Sequence, residues 1–291
     1  MKKIKLFLLI IISMLAINSC KEKIKLSNNS ECKKLEDGYL LIKQGKKKSA
    51  EFKEFLEYIK KIGIFEINIE DPISDSRNRI GQSRYTTFSN NLVKNMELDY
   101  KVFKKLLDDY SKNNDFNLLR IQYIYLSETI LQELLQDIPS NDREIVIKNL
   151  EKNQNNLYAI LTFVNKIDLD KNNKSYLVFN LGSKYYEIKI QEKDLYSQFK
   201  TNISSLINNP TYIAKSVCYN KEKVLDYIAE IDKYVDTCRL PAITILKFNY
   251  CYGRSKYNED KESIFLTSIP LDSTGNELRN FPYYDQGSLE P

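Results

Sequence analysis

Apolar and polar positions change rhythm several times along the chain. Leu6 to Ile17 is apolar except for Ser13 and follows Lys2, Lys3 and Lys5. About twelve such residues at roughly 1.5 Å each give near 18 Å of helix, short of the roughly 30 Å hydrocarbon core of a bilayer. Residues 21–48 are polar and lysine-rich, end in Lys46-Lys47-Lys48, and hold one apolar patch from Tyr39 to Ile42, so they read mainly as a tether. Ser49 then stands as a helix cap before Phe52, Phe55, Leu56, Ile59 and Ile62, which share one helical face, and Gly63 is placed to stop it. Residues 71–91 open on Asp71-Pro72 and carry Ser74-Asp75-Ser76-Arg77-Asn78-Arg79 with Gly81, the composition of a long polar loop.

From Leu98 to about Ile167 a 3.6-residue period dominates. Tyr100, Phe103, Leu106, Leu107 and Tyr110 form one stripe, and Phe116, Leu119, Tyr123, Leu126, Ile130 and Leu134 a second, ended by Pro139. Asn141 with Glu144 resembles a capping box, and Ile145, Leu150, Leu157, Leu161 and Val164 continue the period, so three antiparallel helices are the simplest packing. The rhythm shifts at Ser175. Tyr176 to Asn180 and Tyr185 to Ile190 predict a hairpin across Leu181-Gly182-Ser183, followed by helices near 192–207 and 221–235. Ala242 to Tyr252 alternates, with Thr244, Leu246, Phe248 and Tyr250 on one side, and Ser263 to Ile269 can pair back on it. The expected fold is α+β and helix-dominated: a helical bundle-like part over 49–170, a mixed hairpin and helix part over 171–270 packed with it as one domain, and an irregular tail over 271–291.

The N-terminal stretch gains meaning from its end, Ile17-Asn18-Ser19-Cys20. A positive start, a short apolar core and a cysteine after a small residue resemble a bacterial lipoprotein signal, in which the lipobox cysteine is lipidated before cleavage. Ile17 stands where leucine is commonest and Asn18 is less usual than alanine or serine, whereas Ser19 fits. The resemblance covers Met1 to Cys20 alone. It implies a signal peptide over 1–19, a lipidated Cys20 opening a tether over 20–48, and a place in the bacterial cell envelope, most simply the outer membrane facing the periplasm or the surface. More than one acyl chain on that cysteine would make the anchoring stable, since a single chain holds a protein only marginally. Losing Lys2, Lys3 and Lys5 takes three from 44 basic residues set against 39 acidic ones, leaving a nearly neutral chain, so no nucleic-acid partner is expected.

With Cys20 assigned to lipid, Cys32, Cys218, Cys238 and Cys251 remain, an even set in a compartment where disulfides persist. Three pairings are open. Cys218 with Cys238 brackets one predicted helix and is favoured, leaving Cys32 for Cys251. With 42% apolar and 29% charged residues, the body is globular rather than disordered.

No histidine occurs, which excludes Ser-His-Asp triads, Cys-His pairs and histidine-ligated metals. Neither phosphate-cradling glycine motif is present, and no cofactor is expected. Ser197-Gln198-Phe199-Lys200 matches a bare S-x-x-K but lacks the companion motifs of serine enzymes that use it. Asp168, Asp170 and Asn172 begin like a calcium loop, yet Asn173 replaces its glycine and Phe179 its bidentate glutamate, so a polar turn is the better reading. Asp108-Asp109 and Glu66 with Glu70 are the acid pairs that could serve carboxylate chemistry. Tyrosine, at 21 copies beside no tryptophan, clusters late: Tyr250, Tyr252, Tyr257, Tyr283 and Tyr284 with Arg254 and Arg279, a mixture suited to a recognition surface, although half-buried packing is the plainer role. The expected function is a membrane-anchored lipoprotein acting by binding another protein, with a layout like that of immunity or inhibitor lipoproteins. The alternatives are a structural role in envelope assembly or at the surface, and a carboxylate-based glycan hydrolase.

Overall fold

The computed structural model describes residues 30–62, 72–88, 91–112, 116–164, 174–179, 184–189, 192–206, 214–255, 258–285 and 288–290. Cys20 and the signal, the acids Glu66 and Glu70, the turn at Asp168, Asp170 and Asn172, the hairpin turn 181–183 and Tyr257 lie outside them. The elements run α1 (30–43), α2 (Ala50–Lys61), β1 (Pro72–Ile73), α3 (Asp75–Phe88), β2 (Asn95–Asp99), α4 (Tyr100–Ser111) and β3 (Leu118–Tyr125). Next come α5 (Glu128–Gln136), α6 (Arg143–Leu150), β4 (Leu157–Val164), β5 (Lys174–Leu177), β6 (Tyr186–Ile188) and α7 (Glu192–Leu206). The chain closes with β7 (Ser216–Asn220), α8 (Lys221–Cys238), β8 (Ile243–Ser255), β9 (Asn258–Asp272), β10 (Tyr283–Tyr284) and β11 (Ser288–Glu290). The fold is mixed α+β and rich in helix.

Two antiparallel sheets carry it. Sheet A has the order β1-β10-β9-β8-β2 and sheet B the order β11-β7-β3-β4-β5-β6. They face one another across the main core: Leu119 and Ile121 of β3 and Leu246 and Phe248 of β8 line the same small cavity with Phe103 of α4 and Tyr227 of α8. The Tyr123 ring lies tilted against that of Tyr250 at 6.1 Å between centroids, and its hydroxyl donates to the Ile264 carbonyl at 3.4 Å. The outer face of sheet B buries Ile160, Leu177 and Ile188 under Ile130, Leu134, Val146 and Leu150 of α5 and α6, a second apolar cluster.

The expected helical bundle over 49–170 is not what forms. The stripe from Phe116 to Leu134 divides into strand β3 and helix α5, with Ser127 between them as N-cap, its Oγ accepting from Ile130 N at 3.2 Å. Leu118–Tyr125 is dense in apolar, β-branched and aromatic residues, and nearly all of it is buried on both faces, so apolar positions meant for two faces of a strand also satisfy a helical period. Leu157, Leu161 and Val164 fall the same way, as parts of β4, whose eight residues are all buried and pair with β3 from Leu118↔Val164 to Tyr125↔Leu157.

Three further segments differ from expectation. Within the stretch read as tether, residues 30–43 form a helix that buries Leu35, Tyr39 and Ile42, with Tyr39 at 5.0–5.6 Å from Phe55, Tyr234 and Phe281. The polar loop at 71–91 contains β1 and α3. The tail at 271–291 supplies β10 to sheet A and β11 to sheet B, and buries Phe281, Tyr283 and Tyr284.

The disulfide is Cys32–Cys238, with Cα atoms 4.8 Å apart. The favoured pairing of Cys218 with Cys238 fails because Cys218 lies on β7, just before α8, and Cys238 ends that helix, with about 27 Å of helix between them, whereas a disulfide spans about 4.4–6.8 Å between Cα atoms. Cys32 to Cys251 fails with it: Cys251 is a buried thiol on β8 under α3, and Cys218 a buried thiol on β7. Among the described residues no helix is long and apolar enough to cross a membrane.

Candidate binding surface

The late tyrosine and arginine cluster separates into three places. Tyr250 is 1% exposed and belongs to the inter-sheet core. Tyr283 and Tyr284 are buried on β10, and the Tyr283 hydroxyl donates to Glu277 at 2.6 Å. Arg279 lies outside that core, exposed, with its guanidinium 3.5 Å from Glu36 of α1. Among the described members, only Tyr252 and Arg254 share an accessible face, near the end of β8.

Arg84 of α3, a helix that the sequence pattern did not reveal, reaches this region. Helix α3 opens with Ser74, whose Oγ accepts from Arg77 N at 3.3 Å, and it packs on sheet A through Asn78, Gly81 and Tyr85. Thr267 Oγ1 donates to Asn78 Oδ1 at 2.8 Å, and a Cβ on Gly81 would stand 2.9 Å from that of Cys251, so glycine is what lets the helix approach the strand. One exposed flank of the helix, about 100° from that packed side, carries Arg77, Ile80 and Arg84 at i, i+3 and i+7. Ile80 is 55% exposed, the highest among the described large apolar side chains together with Ile145 of α6.

Arg84 Nη1 reaches Glu262 Oε1 at 3.1 Å, and Glu262 lies opposite Arg254 in the β8–β9 register. Tyr252 is half-buried there. Burial first, and then the Glu262 carboxylate, push its phenol above the ordinary range, while Arg84 opposes them. Arg77 is held 3.8 Å from the buried Asp285. An exposed isoleucine bordered by arginines and a tyrosine is the composition found at the energetic centres of protein interfaces.

Among the described residues, Asp108, Asp109 and the S-x-x-K pattern do not converge. Asp109 accepts from the Tyr185 hydroxyl at 2.7 Å, Asp108 lies on the exposed side of α4, and Ser197 and Lys200 stand on the exposed face of α7. Among the described residues no group of three or more cysteine or acidic side chains is placed to hold a metal ion.

One carboxylate is unusual. Glu230 of α8 is 5% exposed, and the Tyr284 hydroxyl faces both of its oxygens at 2.7 and 2.6 Å. Desolvation pushes it up to about 7, against the lowering effect of the tyrosine donors, and Asp226 adds a smaller push upward. It joins α8 to β10 inside the core rather than lining an open site. Comparison with protein-family models, curated sequences and solved structures finds no match to the chain.

Proposed function

We propose that the protein is an exported bacterial lipoprotein, anchored through acylated Cys20, that works by binding another protein at the face formed by α3 and the end of β8. The observation that carries the reading is the layout of Met1 to Cys20: lysines, a short apolar run, and a cysteine after Ser19. The Cys32–Cys238 bond supports it, because such a bond persists in the oxidising compartments to which that signal would send the chain. For the binding face, support comes from Ile80 with Arg84, Tyr252 and Arg254, one apolar anchor within a polar rim. A partner for it would present an apolar pocket beside acidic groups.

The test is crosslinking in the source envelope with the wild-type chain and with Ile80→Asp/Arg254→Glu. Both positions are exposed, so the variant keeps the fold. A single crosslinked protein recovered with the wild type and lost with the variant is the expected result. A crosslinked partner that the variant retains would move the interface elsewhere, and none with either chain would remove the binding role.

A further inference from the structure

We propose that the groove between α4 and α8, with the lysines along its α4 wall, docks on anionic lipid headgroups of the membrane that holds Cys20; the inference rests on the anchoring read from the signal. Helix α4 puts Val102, Phe103, Leu106 and Leu107 in the core, and its opposite face shows Lys101, Lys104 and Lys105 at i, i+3 and i+4. With Tyr100, Asp232 and Val235 they line an open groove of about 410 Å³.

The two acids of the groove are already engaged. Asp232 takes the Tyr100 hydroxyl at 2.9 Å on one oxygen and Lys104 on the other. Asp108, one turn beyond Lys105, also has interactions of its own. Lys101 and Lys105 are exposed and have no ion-pair partner among the described residues, which leaves two cations for groups the chain does not supply.

Position selects the occupant. Val235 is one turn before Cys238, and Ala242 and Ile243 of the groove follow it closely, so the groove abuts the Cys32–Cys238 bond. Nine residues lie between Cys20 and the start of α1, so ten residue steps give a reach of at most roughly 35 Å when fully extended. The anchor therefore holds this end of the domain near the bilayer, where a tethered surface meets headgroups at high effective concentration. Lys33 and Arg239 flank the bond on the exposed side, against Glu31 and Asp236. Lysines placed within a Debye length of an anionic leaflet are drawn to it.

The experiment uses the mature lipoprotein reconstituted into vesicles of phosphatidylcholine alone, or of equal parts phosphatidylcholine and phosphatidylglycerol. Acylation rates of individual lysines are read by peptide mass, with exposed Lys148 of α6 as reference and the N-terminal peptide reporting lipid on Cys20. Lys101 and Lys105 are expected to react about fivefold more slowly on the phosphatidylglycerol vesicles, with Lys148 unchanged, and the difference is expected to vanish at high salt. Equal rates on both vesicles with Cys20 acylated would overturn the docking and leave the anchoring intact. Protection that appears only when envelope proteins are added would assign the groove to an acidic protein instead. An unacylated Cys20 would overturn both readings.

Discussion

Glu230 spends its folded life in a setting that favours its neutral form. Burial raises its pKa from 4.5 to about 7, and the unfolded chain restores the ordinary value. Between those two values the native state keeps a proton that the unfolded state has released, so stability falls as pH rises from about 4.5 to about 7 and levels off above. The size of that fall is on the order of 3 kcal/mol. Replacing Glu230 with Gln keeps an acceptor for the Tyr284 hydroxyl and removes the titration. The difference in urea-unfolding free energy between variant and wild type is expected to grow across that window, and parallel curves would show that Glu230 does not titrate there. Gly38 gives a second prediction at this scale. A Cβ there would lie 2.0 Å from Cδ2 of Phe55, inside the α1–α2 contact. Gly38→Ala is expected to destabilise by about 1–3 kcal/mol, as overpacking does, and Phe55→Leu in the same chain to recover part of the loss.

Among the elements, helices with a full apolar stripe and a cap were legible, whereas strands buried on both faces and helices with few apolar residues were not. Helix α2 forms where its stripe and cap place it, with Ser49 Oγ accepting from Phe52 N at 3.2 Å. The hairpins β5–β6 and β8–β9 and helices α7 and α8 also stand where residue pattern put them. Strand β4 is apolar on both faces and has no polar side to read, whereas in β3 Arg120 and Gln122 alternate with apolar residues but are themselves buried. Helix α3 hid for another reason: beside Tyr85 its buried side is Asn78 and Gly81, held by a hydrogen bond and a close approach, which leaves no apolar stripe to read. Ile80 and Arg84 of the proposed face therefore gave no signal in the sequence, whereas Tyr252 and Arg254 were visible from local composition. The disulfide is also a property of element packing, since it needs α1 laid against the end of α8. Closing 206 residues of sequence, it is expected to contribute about 2–5 kcal/mol. Cys32→Ser/Cys238→Ser should lower the urea midpoint by the matching amount, and reductant should lower the wild type but not the variant. A midpoint indifferent to both would show that the packing of Leu35, Tyr39 and Ile42 alone holds α1.

At the scale of the molecule, the C-terminal segment and the N-terminal helix lock two sheets that the middle of the chain builds. Strand β10 enters sheet A and β11 enters sheet B within a few residues of each other, while α1 is fastened to α8 by both Tyr39 and Cys32. A pull transmitted from an anchored Cys20 thus reaches a covalent bond to α8 rather than a loose strand. On this reading the lipid end faces the bilayer with the α4–α8 groove, and the α3 face is the one offered to a partner. All of it depends on the anchor, and the most direct measurement is metabolic labelling with an alkyne fatty acid, comparing the native protein with a Cys20→Ala variant in membrane and soluble fractions. The expected result is a labelled wild-type chain that sediments with membranes and a variant that carries no label and keeps its signal. A wild-type chain that is exported without label, or a label that survives Cys20→Ala, would contradict the lipoprotein assignment.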